Sequence, residues 1–377
     1  MILTARQLNR ATLGRQLLLS REKLPVVDAV RRVVALQAQE PASPYLALWN
    51  RVAGFDPADL HAAFVDQRVV KAQLFRITLH AVATEDYPAF HEAMEPTLRS
   101  ARLQDRRFKS EGVSIEDAKA LIPDLLEFMT TPRTNADVEA WLEDRYGEPK
   151  PRIWWGLRQY GPFVHASSGG PWTFSPRPSF VGAFEQDRPG DPAASEAYFV
   201  RRYLEGFGPA TMQDIAQFGP ILRPPVQRAL AALAEQLERH EGPDGEVLYD
   251  VPDGLLPPED SPAPPRLLAM WDSVLLAYTG RSRLIPADYR KVVIRNNGDV
   301  LPTLLVDGQV AGVWRQVDGG AIEATAFQRL SKADWNGLEA EGQALKAFVA
   351  DRDPKLYSRY ARWWTTLPAA EVRVLGG

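Results

Sequence analysis

The feature that most constrains the fold is a plan that recurs along the chain without obvious identity. "RTNADVEAWLEDRY" opens with Thr134 three residues ahead of Asp137, a capping-box spacing that starts a helix with apolar positions Val138, Trp141 and Leu142. "PATMQDIAQFG" repeats the device with Thr211, Asp214, Ile215 and Phe218. A second helix follows each, "IWWGLRQYG" and "PPVQRALAALAEQLERH". After each of those comes a strand, a Gly-containing turn and another strand, "FVHASSGGPWTF" and "GPDGEVLYDVP". Helix, turn, helix, hairpin is the order of a winged helix.

The N-terminal third fits the same plan. "LTARQLNRATLGRQLL" has Thr4 and Gln7 at capping-box spacing, and "LPVVDAVRRVVALQAQ" reads as an apolar helix with Val26, Val30, Val33, Val34 and Ala38 on or near one face. "VVKAQLFRITLHAVA" then alternates as a wing strand would. Past residue 255 the character changes. "GLLPPEDSPAPPRLL" is too rich in proline for regular structure, and "VVIRNNGDVLPTLLVDGQVAGVWRQV" reads as strands parted by Asn-Gly and Asp-Gly turns. The helical "WNGLEAEGQALKAFVADR" and a Trp-rich tail close the chain. The expected fold class is α+β, with three tandem winged-helix units and a small C-terminal antiparallel β-barrel or sheet. Unit boundaries are expected at 1–110, 111–190, 191–255 and 256–377. The alternative is an unrelated helical protein with hairpin insertions.

Composition narrows the function classes. At 377 residues, 45% hydrophobic and 24% charged, the chain has the make-up of a globular protein of several compact units. No apolar run approaches a membrane span and the N-terminus lacks signal-peptide order, so a cytoplasmic protein is expected. There is no cysteine, which excludes disulfides, thiol catalysis and Cys-ligated metals. Five scattered histidines show no ligand spacing, so neither metal nor other cofactor is expected. The net charge of −4 argues against indiscriminate coating of nucleic acid. Yet residues 1–110 hold 16 Lys plus Arg against 11 Asp plus Glu, a net of +5 that leaves −9 for the rest. That third is a candidate anion-facing surface. "RSARLQDRRFK" supplies Arg99, Arg102, Arg106, Arg107 and Lys109, and a second patch supplies Arg281, Arg283, Arg290, Lys291 and Arg295. The plain alternative for both is a solvated face.

The stretch "LQAQEPASPYLALWNR" places Gln37 and Gln39 two residues apart. On a straight helix such residues point about 200° from each other, so they cannot share a face. The helix must therefore end or loosen there, as Pro41 and Pro44 require. Spacing alone is satisfied if the amides cap loose carbonyls at a helix C-terminus. There is no phosphate loop, no Ser-His-Asp order, no HExxH and no carboxylate cluster for a metal-dependent nuclease.

Together, "LQAQEPASPYLALWNR", "RITLHAVATEDY", "GPATMQDIAQF" and "VLPTLLVDGQVAGVWR" resemble the AlkZ/YcaQ-like family of winged-helix DNA glycosylases over nearly the whole chain. The resemblance implies three winged helices and a barrel around a C-shaped channel for duplex DNA. It implies a Gln-apolar-Gln catalytic pair, here Gln37 and Gln39 around Ala38. It further implies excision of N7-alkylated purines, with bulky azinomycin-type adducts and interstrand crosslinks included. N7 alkylation makes guanine a cationic leaving group, so the work left is to hold a water and stabilise an oxocarbenium-like sugar. An amide can accept from one group and donate to another at once, although it cannot abstract a proton as a carboxylate does.

The residues expected to face DNA are Arg76, Thr78 and His80 on the first wing, with Arg99, Arg106, Arg107 and Lys109 beyond it. Polar residues on a solvated strand are the alternative for the first three, and a buried orienting group is a further one for His80. Glu40 reads as a surface acid before it reads as a helper. Trp154 and Trp155 read as core of the second unit before they read as base-stacking platforms. The expected partner is double-stranded DNA with alkylated purines, met by a monomer. The competing class is a DNA-binding regulator or damage sensor without catalysis.

Overall fold

The computed structural model describes residues 1–183, 190–350 and 352–376. Each helix-start signal in the sequence is realised. Thr4 with Gln7, Thr134 with Asp137 and Thr211 with Asp214 form reciprocal capping boxes at the heads of helices Ala5–Arg15, Asn135–Tyr146 and Met212–Phe218. The third segment keeps the expected order of elements. Helices Pro192–Phe207, Met212–Phe218 and Arg223–Ala232 precede a hairpin in which Glu238–Glu241 pairs with Val247–Asp250. The last of these helices is shorter than its sequence suggests, because "ERHE" forms the first hairpin strand.

The first two segments do not keep separate sheets. One six-stranded sheet runs in the order Leu36–Gln37, Leu79–Ala83, Val69–Gln73, Phe163–Ala166, Ser179–Gly182, Arg133–Thr134. Strands from residues 69–83 and 163–182 meet where Lys71 pairs with His165. Two expectations change here. "VVKAQLFRITLHAVA" is a hairpin of two strands, with a tight 3-10 turn at Phe75–Ile77, rather than one strand. The partner of Phe163–Ala166 is Ser179–Gly182, beyond the Gly-Gly turn and "PWTF".

Nor is the C-terminal region a closed barrel. Its five strands run Glu371–Leu375, Ile322–Ala326, Gln309–Gln316, Thr303–Val306, Arg266–Leu267, and the two end strands do not pair, so the sheet is open. Helix Lys332–Val349 contacts both end strands. "VVIR", expected as a strand, gives a short helix Arg290–Val293 and a single bridge from Ile294 to Val300. The Asp-Gly signal holds: Asp307 and Gly308 take φ of 45° and 77° between paired strands. A side chain at position 308 would also strike Asn9 and Leu13 of the N-terminal helix, at 2.4 and 2.7 Å.

That helix is where distant parts of the chain are fastened together. Asp307 accepts from Arg6 at 2.9 Å and also from Arg10. Arg15 grips Asp250 bidentately at 2.6 and 2.7 Å, fully buried. Arg51 grips Asp272 in the same way at 2.8 and 2.7 Å. Phe75 packs against Phe90, Phe199 and Phe218, with ring centroids 5.0–5.5 Å apart. These rings draw residues 75–77 into a core built from three helices, each buried ring contributing about 1.5–3 kcal/mol.

Candidate functional site

The helix that carries the Gln-Ala-Gln motif ends early. It spans Val26–Arg32, after which Val34 adopts φ of 71° and Leu36–Gln37 becomes a short strand against Leu79–Ala83. The motif is therefore not a helix C-terminus. The chain turns at Val34 and Leu36–Gln37 pairs with the strand beyond it, the register setting Gln37 opposite His80.

The two glutamines have different surroundings. Gln37 is 3% exposed. Its Oε1 accepts from Arg76 Nη2 at 3.1 Å and its Nε2 donates to Thr78 Oγ1 at 3.2 Å. Since the Thr78 hydroxyl has one proton and Phe75 O lies 3.1 Å away, that proton goes to the carbonyl and leaves the oxygen free to accept from Gln37. The amide is thus fixed in one orientation. Gln39 is exposed and has no hydrogen-bond partner among the described residues. Ala38 between them is buried, and its N–H donates to Leu79 O at 2.8 Å.

Arg76, Thr78 and His80 do not alternate along one strand. Arg76 lies in the turn with φ of 52°, next to Ile77 at 58°, Thr78 ends the turn, and only His80 is in the strand. Two consecutive left-handed residues that are not glycine cost on the order of 1–3 kcal/mol each. Phe75 in the aromatic core and a bond from Gln73 Nε2 to Ile77 O hold them. His80 is fully buried, so it is not offered to a groove. Its Nε2 accepts from Arg76 at 3.1 Å while Nδ1–H donates to Thr78 O at 3.1 Å, a neutral tautomer in the place of an orienting group. Burial, and then the Arg76 charge, push its pKa well below 6.5.

Arg76 itself is unusual. It has no carboxylate partner among the described residues, its Nη1 is enclosed without an acceptor, and its guanidinium lies 5.1 Å from the Phe218 ring centre. Burial, and then the charge of Arg281, lower its pKa to about 9. It stays protonated at neutral pH.

Glu40 is more engaged than a surface acid. Tyr360 donates to it at 2.6 Å and Arg359 pairs with it at 3.2 Å, so the Trp-rich tail returns to the motif from more than 300 residues away. No local signal in the sequence announces that return. In the basic patch, Arg99 pairs with Glu95 and Arg107 with Asp105. Arg102 and Arg107 lie over Trp155, with Trp154 buried beneath among Phe163 and Phe180. Arg106 and Lys109 are exposed with no ion pair among the described residues. Among those residues there is also no group of three potential metal ligands, and no helix long and apolar enough to cross a membrane.

The profile of the family described as "DNA glycosylase AlkZ-like" matches residues 30–348. A Streptomyces sahachiroi protein, "Interstrand DNA cross-link repair glycosylase", is 25% identical over 358 residues, which cover 89% of this chain and 94% of that one. The solved structure of Streptomyces sahachiroi DNA glycosylase AlkZ superposes with a TM-score of 0.76 at 19% identity, over 92% of this chain and 96% of the other.

Proposed function

The chain belongs to the AlkZ-like family of DNA glycosylases, and on that premise we propose that it hydrolyses the N-glycosidic bond of N7-alkylated purines in duplex DNA, without a strand-cutting step. The observation that carries the reading is the pair of unlike amides. Gln39 is open at both ends of its amide, so it can accept from a water and donate to a sugar or phosphate oxygen. Gln37 is locked by Arg76 and Thr78 and sets the backbone from which Gln39 projects. Positioning and electrostatics then supply the catalysis, because the cationic base departs with little acid assistance.

In this reading the three helix-then-hairpin segments act as winged-helix units around a C-shaped channel. Arg76, Thr78, Arg99, Arg106, Arg107 and Lys109 face DNA, and His80 orients Arg76 from behind. The substrates extend to bulky azinomycin-type adducts and to interstrand crosslinks, which the cross-link repair activity of the Streptomyces relative supports. A crosslinked base cannot be flipped fully out of the duplex, so an exposed Gln39 suits it better than an enclosed base pocket would. The protein acts as a cytoplasmic monomer, with no metal or other cofactor.

The test is incubation of a defined N7-methylguanine duplex and a defined crosslinked duplex with the purified protein. Free modified base and an alkali-labile site are expected from the first, and separated strands from the second. Tight binding without base release would instead mark a regulator or damage sensor.

A further inference from the structure

Gln39 makes no hydrogen bond of its own among the described residues, so whatever holds it in place acts through its neighbours in the chain. Upstream, the Ala38 N–H is bound to Leu79 O at 2.8 Å. Downstream, the chain turns into helix Ser43–Trp49, and the Ser43 N–H closes that turn on Glu40 O at 3.1 Å. The turn is gripped from the far end of the molecule's sequence. Tyr360 Oη donates to Glu40 Oε1 at 2.6 Å, and Tyr357 Oη shares a hydrogen bond with Ser43 Oγ at 2.8 Å. Glu40 and Ser43 are three residues apart, and so are the two tyrosines. The Tyr360 N–H donates to Tyr357 O at 3.0 Å at the head of the 3-10 helix Ser358–Thr366, and one turn of such a helix sets side chains three apart one above the other. The two spacings therefore match.

Both tyrosines are buried. Tyr360 packs edge-on against Trp271 with ring centroids 5.4 Å apart, and burial, then the bond to Glu40, pushes its pKa far above 10, so it stays a donor. Tyr357 takes φ of 57°, a costly conformation for a residue other than glycine. It is held there by Ser43 and by the Met270 N–H, which donates to its hydroxyl at 3.3 Å. We propose that Tyr357 and Tyr360 form a two-point clamp on the turn after the motif, and that Tyr360, acting through Glu40, is a positioning residue for Gln39. The kinetic part of the proposal rests on the glycosylase reading above. With Ala38 pinned on one side and Glu40 on the other, the exposed amide projects from a backbone fixed at both neighbours, as holding a water within reach of a sugar requires. Arg359 also pairs with Glu40, but its side chain is largely exposed and the pair adds little. Glu40 serves here as an acceptor for Tyr360 and not as a base.

Wild type, Tyr360→Phe, Glu40→Ala and Glu40→Gln are compared by two readouts. Deuterium uptake by the peptide over residues 37–43 needs no base release. Tyr360→Phe, which keeps the ring on Trp271, and Glu40→Ala should each speed that uptake about fivefold, with helix Pro192–Phe207 exchanging as in wild type. Single-turnover release from an N7-methylguanine duplex should slow about tenfold in Tyr360→Phe, while Kd for the duplex stays within about twofold of wild type. Glu40→Gln, which retains an acceptor for Tyr360, should recover most of the rate lost in Glu40→Ala. The proposal is overturned if Tyr360→Phe matches wild type in uptake at 37–43 or in release, or if uptake rises throughout the chain. It is equally overturned if Glu40→Gln is as slow as Glu40→Ala, which would make the carboxylate itself the acting group. If uptake changes as expected and wild type releases no base, the clamp stands and the glycosylase reading falls.

Discussion

Fully buried and half-buried arginines are partnered differently in this molecule. Arg15 and Arg51 each hold a carboxylate bidentately, Asp250 and Asp272, at 2.6–2.8 Å, and each pair ties the N-terminal region to a distant segment. Among the described residues half-buried Arg76 holds none, and its Nη1 is enclosed without an acceptor. The first arrangement is complete in the protein alone. The second leaves a guanidinium nitrogen without an acceptor among the described residues, on the side chain that holds Gln37. A partly desolvated cation without a carboxylate is costly, so Arg76, bonded only to the neutral groups of Gln37 and His80, points to function where the paired arginines point to architecture.

Removing one partner from a complete pair should give the largest effect. Asp272→Ala leaves Arg51 charged and enclosed, and should cost about 3–5 kcal/mol in denaturant unfolding. A loss under 1 kcal/mol would erase the contrast with Arg76. Next comes Gln39→Ala, expected to lower the rate of base release by about 10²-fold, near 2.7 kcal/mol, as loss of one positioned polar group does. Its melting temperature should stay unchanged, since the side chain is exposed and unbonded. Gln37→Ala should depress release as well, but it also costs about 1–3 kcal/mol of stability because Arg76 loses one of its two acceptors and keeps only His80. Equal stability of the two variants would contradict the division of roles between the glutamines.

Acidification gives a smaller effect. His80 is neutral in the fold with its pKa pushed well below the ordinary 6.5 by burial and Arg76, and burial and Lys71 do the same to His165. The unfolded chain binds protons at these positions below about pH 6.5 while the native state does not. Stability is therefore full above that pH and falls below it, by at most about 1.4 kcal/mol per pH unit for each histidine. Denaturant midpoints between pH 7 and pH 5 measure the slope, and His80→Gln should flatten it. The smallest effect belongs to Lys109→Ala, which should leave stability unchanged and lower the salt slope of DNA binding by about 1.

Local chemistry made much of this legible in the sequence. Thr4, Thr134 and Thr211 head helices because each has its capping partner three residues on, and the Asp307-Gly308 turn follows from left-handed backbone preference. The motif at Gln37 and Gln39 was recognisable by resemblance. What was hidden depends on partners remote in the chain. Residues 33–37 look helical by apolar spacing, yet the chain turns at Val34 and the strand at 79–83 captures Leu36 and Gln37. Two wing-like hairpins merge into one sheet because Lys71 meets His165. The open C-terminal sheet was not distinguishable from a barrel, since closure depends on whether Arg266–Leu267 and Glu371–Leu375 meet. That Arg76 has no carboxylate partner among the described residues could not be read at all, because composition records charges and not which of them touch.

The most direct test is base release from a duplex carrying a single N7-methylguanine, with wild type and Gln39→Ala measured side by side. Free N7-methylguanine and an alkali-labile abasic site from wild type, with the variant about 10²-fold slower at equal stability, is the predicted result. Intact adduct after prolonged incubation, or a variant as fast as wild type, would contradict it.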